Sequence, residues 1–266
     1  MQIIEKVTDL IHLSGKKPRV IASDVDHTLV DFDAGHDAGI QAIADVTDSK
    51  FAKRVDEIFQ FLVLGNRKSV DEPWDQQELH DQLVASLQPH QAHDIEKYGI
   101  RKWSRESWIL QTALEQNYPI TQKFVTTVRE AYWDAVAKHA ELYPEVPEFF
   151  EWLQREKIPL IVMTGSDSVT DITEDPSPRL IYEPKASWDY KMKRLGHIPA
   201  QKVHIGDPFD KPHQAFFDGV YASARALGAQ SPKEVWFVGD SKGGDLDVPE
   251  KDGYLTFWLR RPKDDK

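Results

Sequence analysis

Cysteine is missing from all 266 residues. Disulfide bridges, thiolate nucleophiles and zinc–thiolate centres are therefore excluded. Also missing is any apolar run near the roughly 18 residues that a membrane span requires. The opening stretch, Met1 to Leu13, is amphipathic and carries Glu5 and Asp9. It lacks the basic start, apolar run and small-residue cleavage site of a secretory leader, so a soluble, cytoplasmic protein is the expectation. Positive charge is in deficit: 33 Lys and Arg stand against 44 Asp and Glu, a formal net charge of -11. That balance argues against non-specific nucleic-acid binding, which relies on clustered cations. It says little against a small anionic substrate, because a local cation can oppose the net field. The chain shows neither an internal repeat nor a low-complexity tract.

What is present suits a globular chain. The hydrophobic share of 40% and charged share of 29% allow a core domain of about 150 residues plus a smaller one. Ile3, Ile4, Val7, Leu10 and Ile11 recur at helical spacing and predict an opening helix that ends near Gly15. Short apolar runs follow at Arg19 to Ser23, Ile158 to Met163, Lys202 to Gly206, Val235 to Gly239 and Tyr254 to Leu259, with helical patterns between the later ones. This alternation predicts an α/β fold, a Rossmann-like parallel sheet with helices on both faces. Between Ala34 and Leu142 the texture changes to periodic apolar positions with few β-branched runs. Helices are expected around Phe51–Leu62, Leu79–Leu87, Trp108–Leu114 and Phe124–Val136, with Trp74, Trp103, Trp108 and Trp133 as core material. The expected division is a core of residues 1–33 and 143–266 and an inserted helical domain of 34–142. Arg260-Arg261 and the charged residues after them read as a frayed tail.

The chemistry gathers where strands end. Asp24 and Asp26 follow a hydrophobic strand at a spacing of two, which in extended geometry sends both side chains off one face. Two such close carboxylates do not both ionise easily without a cation, and magnesium prefers oxygen ligands. One carboxylate can then attack phosphorus while the other handles a proton. Taken alone, the pair is a weak pattern that reads more readily as a solvated turn. Gly239-Asp240-Ser241-Lys242-Gly243-Gly244-Asp245 offers a tight turn with two acids five positions apart, able to complete an oxygen-only metal site with Asp24. Thr164, followed by Gly165 and Ser166, places a hydroxyl and free amides where a phosphate oxygen could sit. Lys211, before Pro212, could neutralise a nucleophile and a transferring phosphoryl group. Gly206-Asp207-Pro208 also follows a strand, but Pro208 and Phe209 come next with no suitably spaced second acid, and it reads as a decoy.

Together, in this order, these segments resemble the four motifs of the haloacid dehalogenase superfamily: Asp24-Val25-Asp26-His27-Thr28-Leu29, Thr164, Lys211-Pro212, and Gly239-Asp240 through Asp245. The likeness covers about 1–33 and 143–266. His27 is a departure, since many members have glycine there. The resemblance implies a nucleophilic Asp24, and Asp26 as the acid and base that protonates the leaving oxygen and then activates water. It implies magnesium held by the Asp24 carboxylate, the Asp26 carbonyl and Asp240, with Asp245 as a further ligand or an acceptor for Lys211. Thr164, Gly165 and Lys211 would bind the phosphoryl oxygens, and the inserted domain would be a cap. Lys185 is an alternative to Lys211, lacking the following proline. The second acid, Asp26, favours phosphoryl transfer over dehalogenation.

The expected activity is therefore magnesium-dependent hydrolysis of a small phosphorylated metabolite. A phosphomutase and a non-catalytic phosphate-binding regulator are the alternatives. Recognition is sought in His36 and Asp37 just past the first motif, in Asn66-Arg67-Lys68, and in Arg101-Lys102-Trp103. The other histidines of the insertion, His80, His90, His93 and His139, read as surface residues. Oligomeric state is left open.

Overall fold

The computed structural model describes residues 1–13, 15, 17–59, 105–165, 170–173, 179–182, 184–206 and 209–261, with side chains omitted at 107, 170–173, 179–182 and 184–187. The expected helix around Leu79–Leu87, Trp74 and Trp103, and the basic clusters at 66–68 and 101–103 lie outside the described residues.

The described residues include eight strands: β1 (Gln2–Ile4), β2 (Val20–Ser23), β3 (Leu160–Thr164), β4 (Thr170–Thr173), β5 (Arg179–Tyr182), β6 (Lys202–Ile205), β7 (Val235–Gly239) and β8 (Leu255–Leu259). The described helices are α1 (Phe32–Val46), α2 (Ser49–Phe59), α3 (Arg105–Gln116), α4 (Gln122–His139), α5 (Val146–Glu156), α6 (Pro184–Leu195), α7 (Gln214–Ala226) and α8 (Asp247–Lys251). Contacts divide the chain into two compact units. One holds residues 1–32, 141–165 and 195–266; the other holds 33–140 and 166–194.

The first unit is built on one six-stranded sheet in the order β1-β8-β7-β2-β3-β6, with every neighbouring pair parallel. Strands β2, β3 and β7 are buried along their whole length, which is why they read as continuous apolar runs rather than alternating ones. Val20, Ala22, Ile161, Met163, Val235 and Phe237 form one cluster with Phe216, Phe217, Val220 and Tyr221 of α7. The intervening side chains Ile21, Leu160, Val162, Trp236 and Val238 are also buried, so both faces of the sheet are covered. From β2 the chain moves outward through β3 to β6, then returns to β2's other side for β7. That reversal makes the carboxyl ends of β2, β3 and β7 a switch point, where ligands bind in sheets of this kind.

The opening segment departs from expectation. Ile3 and Ile4 belong to strand β1, paired in register with Trp258 and Leu259, and only Val7–His12 winds, as a 3-10 turn. The exposed edge of β8 offers a row of backbone partners, and that outweighs a short helical pattern. The Glu5 and Lys6 amides donate to Asp9 at 2.8 and 3.0 Å and start the turn.

The second unit is helical, with α2 packed on α3 and α3 on α4, around buried Phe51, Trp108, Ile109, Leu110, Tyr132 and Trp133. Thr121 caps α4 by accepting the Phe124 amide at 3.1 Å. A buried ion pair, Arg129 to Glu106 at 3.2 Å, crosses its core. Residues 166–194, assigned to the sheet domain by sequence, group here. The antiparallel hairpin β4–β5 packs on α4, and Lys193 of α6 pairs with Asp134 at 2.6 Å. The hairpin carries no signal in the apolar pattern that distinguishes it from a connection within the sheet domain.

Among the described residues no helix is long and apolar enough to cross a membrane. Phe237 is fully buried at the centre of the sheet. Phe237→Ala should lower stability by about 3–5 kcal/mol, read as a lower urea midpoint with an unchanged slope.

Candidate active site

Strand β2 ends by passing its last backbone bond to the next residue: the Asp24 amide donates to Val238 of β7 at 2.9 Å. Asp24 is thereby held at the carboxyl edge of the sheet, buried to 5% exposure. Strand β7 delivers Gly239 and Asp240 beside it. A five-residue π-helical turn, Lys242–Leu246, then brings Asp245 back to the same place. The turn is started by Ser241, whose hydroxyl accepts the Gly244 amide at 3.1 Å, while Asp245 accepts the Ser241 amide at 3.1 Å. Gly239 is required at this crossing, because a Cβ there would stand 2.3 Å from Oδ2 of Asp245.

One oxygen from each of Asp24, Asp240 and Asp245 lies within 4.8 Å of the others. Lys211 reaches in from the loop after β6, its Nζ donating to Asp24 Oδ1 at 2.5 Å and to Asp245 Oδ1 at 2.6 Å. The Thr28 hydroxyl lies 3.4 Å from Asp24 Oδ2 and 3.5 Å from Asp240 Oδ1. Burial opposes the Lys211 charge, but Asp24 and Asp245 outweigh it and hold the ammonium well above the usual lysine range. Burial pushes the Asp24 carboxyl up; Lys211 pulls against this, while Asp245, Asp240 and Asp26 add to the rise. Among the described residues these three carboxylates share the Lys211 ammonium, which pairs with Asp24 and Asp245, so the site is rich in formal negative charge. A divalent cation would offset that charge and bring the Asp24 carboxyl back down. The donor set is all oxygen, which fits magnesium or calcium rather than a softer metal.

The remaining expected residues are distributed as follows. Asp26 lies two residues past Asp24 and is partly buried. It is near enough to raise the Asp24 carboxyl, but its carboxylate is outside the three-acid cluster. Thr164 closes β3, buried and paired with Ile205. Gly165 follows it, and a Cβ built there would stand 3.6 Å from the Asp210 carboxylate. The side chain of Lys185 and residues 207–208 lie outside the described set.

His36 does not suit a substrate contact. It belongs to the helical unit, 4% exposed, with Nδ1 bonded to the Tyr132 hydroxyl at 2.8 Å and Nε2 to Asp56 at 3.1 Å. Its ring stacks on Phe59 at 3.8 Å. Both ring nitrogens are thus committed inside a hydrophobic core. Burial, helped by Arg105, pushes its pKa down against Asp56.

Three contributors were not foreseen. Thr28 lies within the first motif, and its spacing of four from Asp24 is the signal that a tight turn would bring its hydroxyl back. Asp210 fills the space where Gly206 would carry a side chain, 2.2 Å from that glycine's ideal Cβ, and accepts the Lys211 amide at 2.7 Å. Arg261, expected in a frayed tail, is partly buried and bonded to the Thr28 carbonyl at 2.8 Å. Nothing in a charged terminus forecasts that contact.

A haloacid dehalogenase-like hydrolase family model matches residues 18–248, and the chain belongs to that family. Solved structures of the same fold include YfnB from Bacillus subtilis, a candidate HAD-hydrolase bound to magnesium, at 16% identity and TM-score 0.53 over 91% of this chain and 89% of that one. A 2-haloacid dehalogenase from Pseudomonas syringae pv. Tomato DC3000 matches at 15% identity and TM-score 0.52 over 94% and 91%. A candidate β-phosphoglucomutase from Thermotoga maritima matches at 14% identity and TM-score 0.51 over 93% and 88%. Comparison with curated proteins finds no match.

Two measurements probe this geometry. Gly239→Ala should cost about 1–3 kcal/mol through overpacking against Asp245. Gly243→Ala, with nothing within 4 Å of its ideal Cβ, should cost much less; chemical denaturation compares the two. The lowered His36 pKa means the unfolded chain binds this proton more readily. Its contribution to stability should be complete above the unfolded value of about 6.5 and be lost as pH falls from there through the folded value. Unfolding of wild type and His36→Gln across pH 7.5 to 5 should show a steeper acid loss in wild type.

Proposed function

We propose that this hydrolase is a magnesium-dependent phosphatase that cleaves phosphate monoesters of small molecules through a phosphorylated Asp24. The observation that carries the reading is the Lys211 ammonium shared between Asp24 and Asp245, beside Asp240 and two residues from a second acid, Asp26. An aspartate that is both paired with a cation and crowded by acids suits attack on an anionic phosphoryl group better than a solvated turn does.

On this reading Asp24 forms a bond to phosphorus as the ester P–O bond breaks, and Asp26 gives its proton to the departing oxygen. Asp26 then takes a proton from water as the water oxygen bonds to phosphorus and the Asp24–phosphorus bond breaks. Asp24 is regenerated and inorganic phosphate leaves. Lys211 can pass its hydrogen bond from Asp24 to a phosphoryl oxygen as charge moves there, with Thr164 and the Gly165 amide as further donors. Asp24, Asp240 and Asp245, with the Asp26 carbonyl, are the proposed magnesium ligands. Magnesium, when bound, supplies charge that neutralises phosphoryl oxygens and keeps the carboxylates ionised. The helical unit is proposed as the cap that selects the leaving group, and its residues rather than the four motifs would set the metabolite.

Purified protein should release phosphate from an aryl phosphate and from members of a phosphorylated-metabolite panel. A chelator should stop release and added magnesium restore it. Asp24→Asn should show no turnover, and Asp26→Asn should lose roughly 10²–10⁴-fold in kcat. Halide release from a 2-haloacid without any phosphate release would instead sink the phosphatase reading.

A further inference from the structure

We propose that Arg261 is a positioning residue for the nucleophile loop, holding a turn whose left-handed residue is a histidine rather than a glycine. The inference deepens the phosphatase reading, and its kinetic part rests on it.

The loop after Asp24 is folded tightly. The Val25 carbonyl accepts the amides of Thr28, Leu29 and Val30 at 3.2, 2.8 and 3.0 Å, and the His27 amide donates back to Val30 at 2.8 Å. His27 adopts φ 60°, a left-handed backbone that L-residues with a Cβ disfavour and glycine does not. The turn therefore needs outside support to keep a side chain there.

Arg261 provides it from the far end of the chain. Its Nη2 donates to the Thr28 carbonyl at 2.8 Å and its Nε to the His27 carbonyl at 3.4 Å. Its Nη1 is paired with Glu145, and the guanidinium lies over the Tyr143 ring at 3.5 Å. Tyr143 in turn donates its amide to the Leu29 carbonyl at 3.0 Å. The base of this bracket is stiff: the Arg260 amide donates to Ile4 at 2.8 Å, continuing the β1–β8 ladder past Leu259. A planar guanidinium can serve two carbonyls and a carboxylate from three separate, fixed nitrogens, whereas a lysine offers its donors from one.

Thr28 links the bracket to the chemistry. Its carbonyl faces Arg261 while its hydroxyl faces Asp24 and Asp240. Releasing the carbonyl lets the turn relax and carries the hydroxyl and the neighbouring Asp26 off their marks. Misplacement by about 1 Å is enough to cost on the order of 10²-fold in rate. Arg261 itself touches none of the reacting atoms, so the effect should appear in kcat.

The test uses the full chain in four forms: wild type, Arg261→Ala, Arg261→Lys, and Arg261→Ala combined with His27→Gly. Arg261→Ala should lower kcat on an aryl phosphate with magnesium by about 10–100-fold, with KM within about threefold. Arg261→Lys should keep more of the rate, and adding His27→Gly to Arg261→Ala should recover a large part of it, because glycine accepts the left-handed turn unaided. Amide hydrogen exchange, which needs no turnover, should accelerate at least about tenfold at Thr28, Leu29 and Val30 in Arg261→Ala, with β2 and β7 unchanged. If wild type hydrolyses no phosphate ester, the phosphatase reading fails and exchange alone decides the positioning role. Should Arg261→Ala not fold, Arg261→Lys and Arg261→Gln carry the same comparison. Exchange at 28–30 that matches wild type, a change confined to KM, or a loss that His27→Gly does not reduce would each overturn the proposal.

Discussion

Among the described residues a buried ammonium, Lys211, sits with three carboxylates at the carboxyl edge of a parallel sheet, and the arrangement around it follows from that concentration of charge. Lys211 bonds to Asp24 and Asp245 together, with the Asp240 carboxylate beside them. A buried carboxylate cluster is costly unless its charge is compensated, and a divalent cation held by these oxygens would add that compensation. Asp24 and Asp240 stand directly past strand ends, and the turn after β7 brings Asp245 back to them.

Much of the surrounding structure serves to hold those strand ends in place. The sheet is covered on both faces by apolar side chains, so its central strands cannot slip without exposing them. Close approach is made possible by missing side chains: Gly239 gives room to Asp245, and Gly206 to Asp210, which fixes the amide of Lys211. Trp258 adds a bond from its indole to the Asp240 carbonyl at 2.9 Å. The helical unit follows a different logic. Its polar groups, His36 with Tyr132 and Asp56 or Arg129 with Glu106, are paired within an aromatic core.

The sheet strands from β2 onward were legible because buried parallel strands leave unbroken apolar runs in sequence. The motif acids were legible because each follows such a run within a few residues. Strand β1 was not, since three residues cannot show a period and its pairing partner lies more than 250 positions away. The hairpin of β4 and β5, and its membership in the helical unit, were equally silent. His36 was misplaced because adjacency to the first motif in sequence does not determine which way a helix turns its face.

Local order along the chain was enough to determine the fold class, the family and which acids are candidates for chemistry, and it narrowed the lysine to Lys211 or Lys185, because strand alternation and short motifs are properties of neighbouring residues. Only the tertiary structure decided that Lys211 bridges Asp24 and Asp245, that His36 is taken up in a core, and that Arg261 reaches the Thr28 carbonyl. Those are pairings across as many as 233 positions. Their partners are chosen by strand order and by where backbone carbonyls point, and neither is written in any short stretch of the chain.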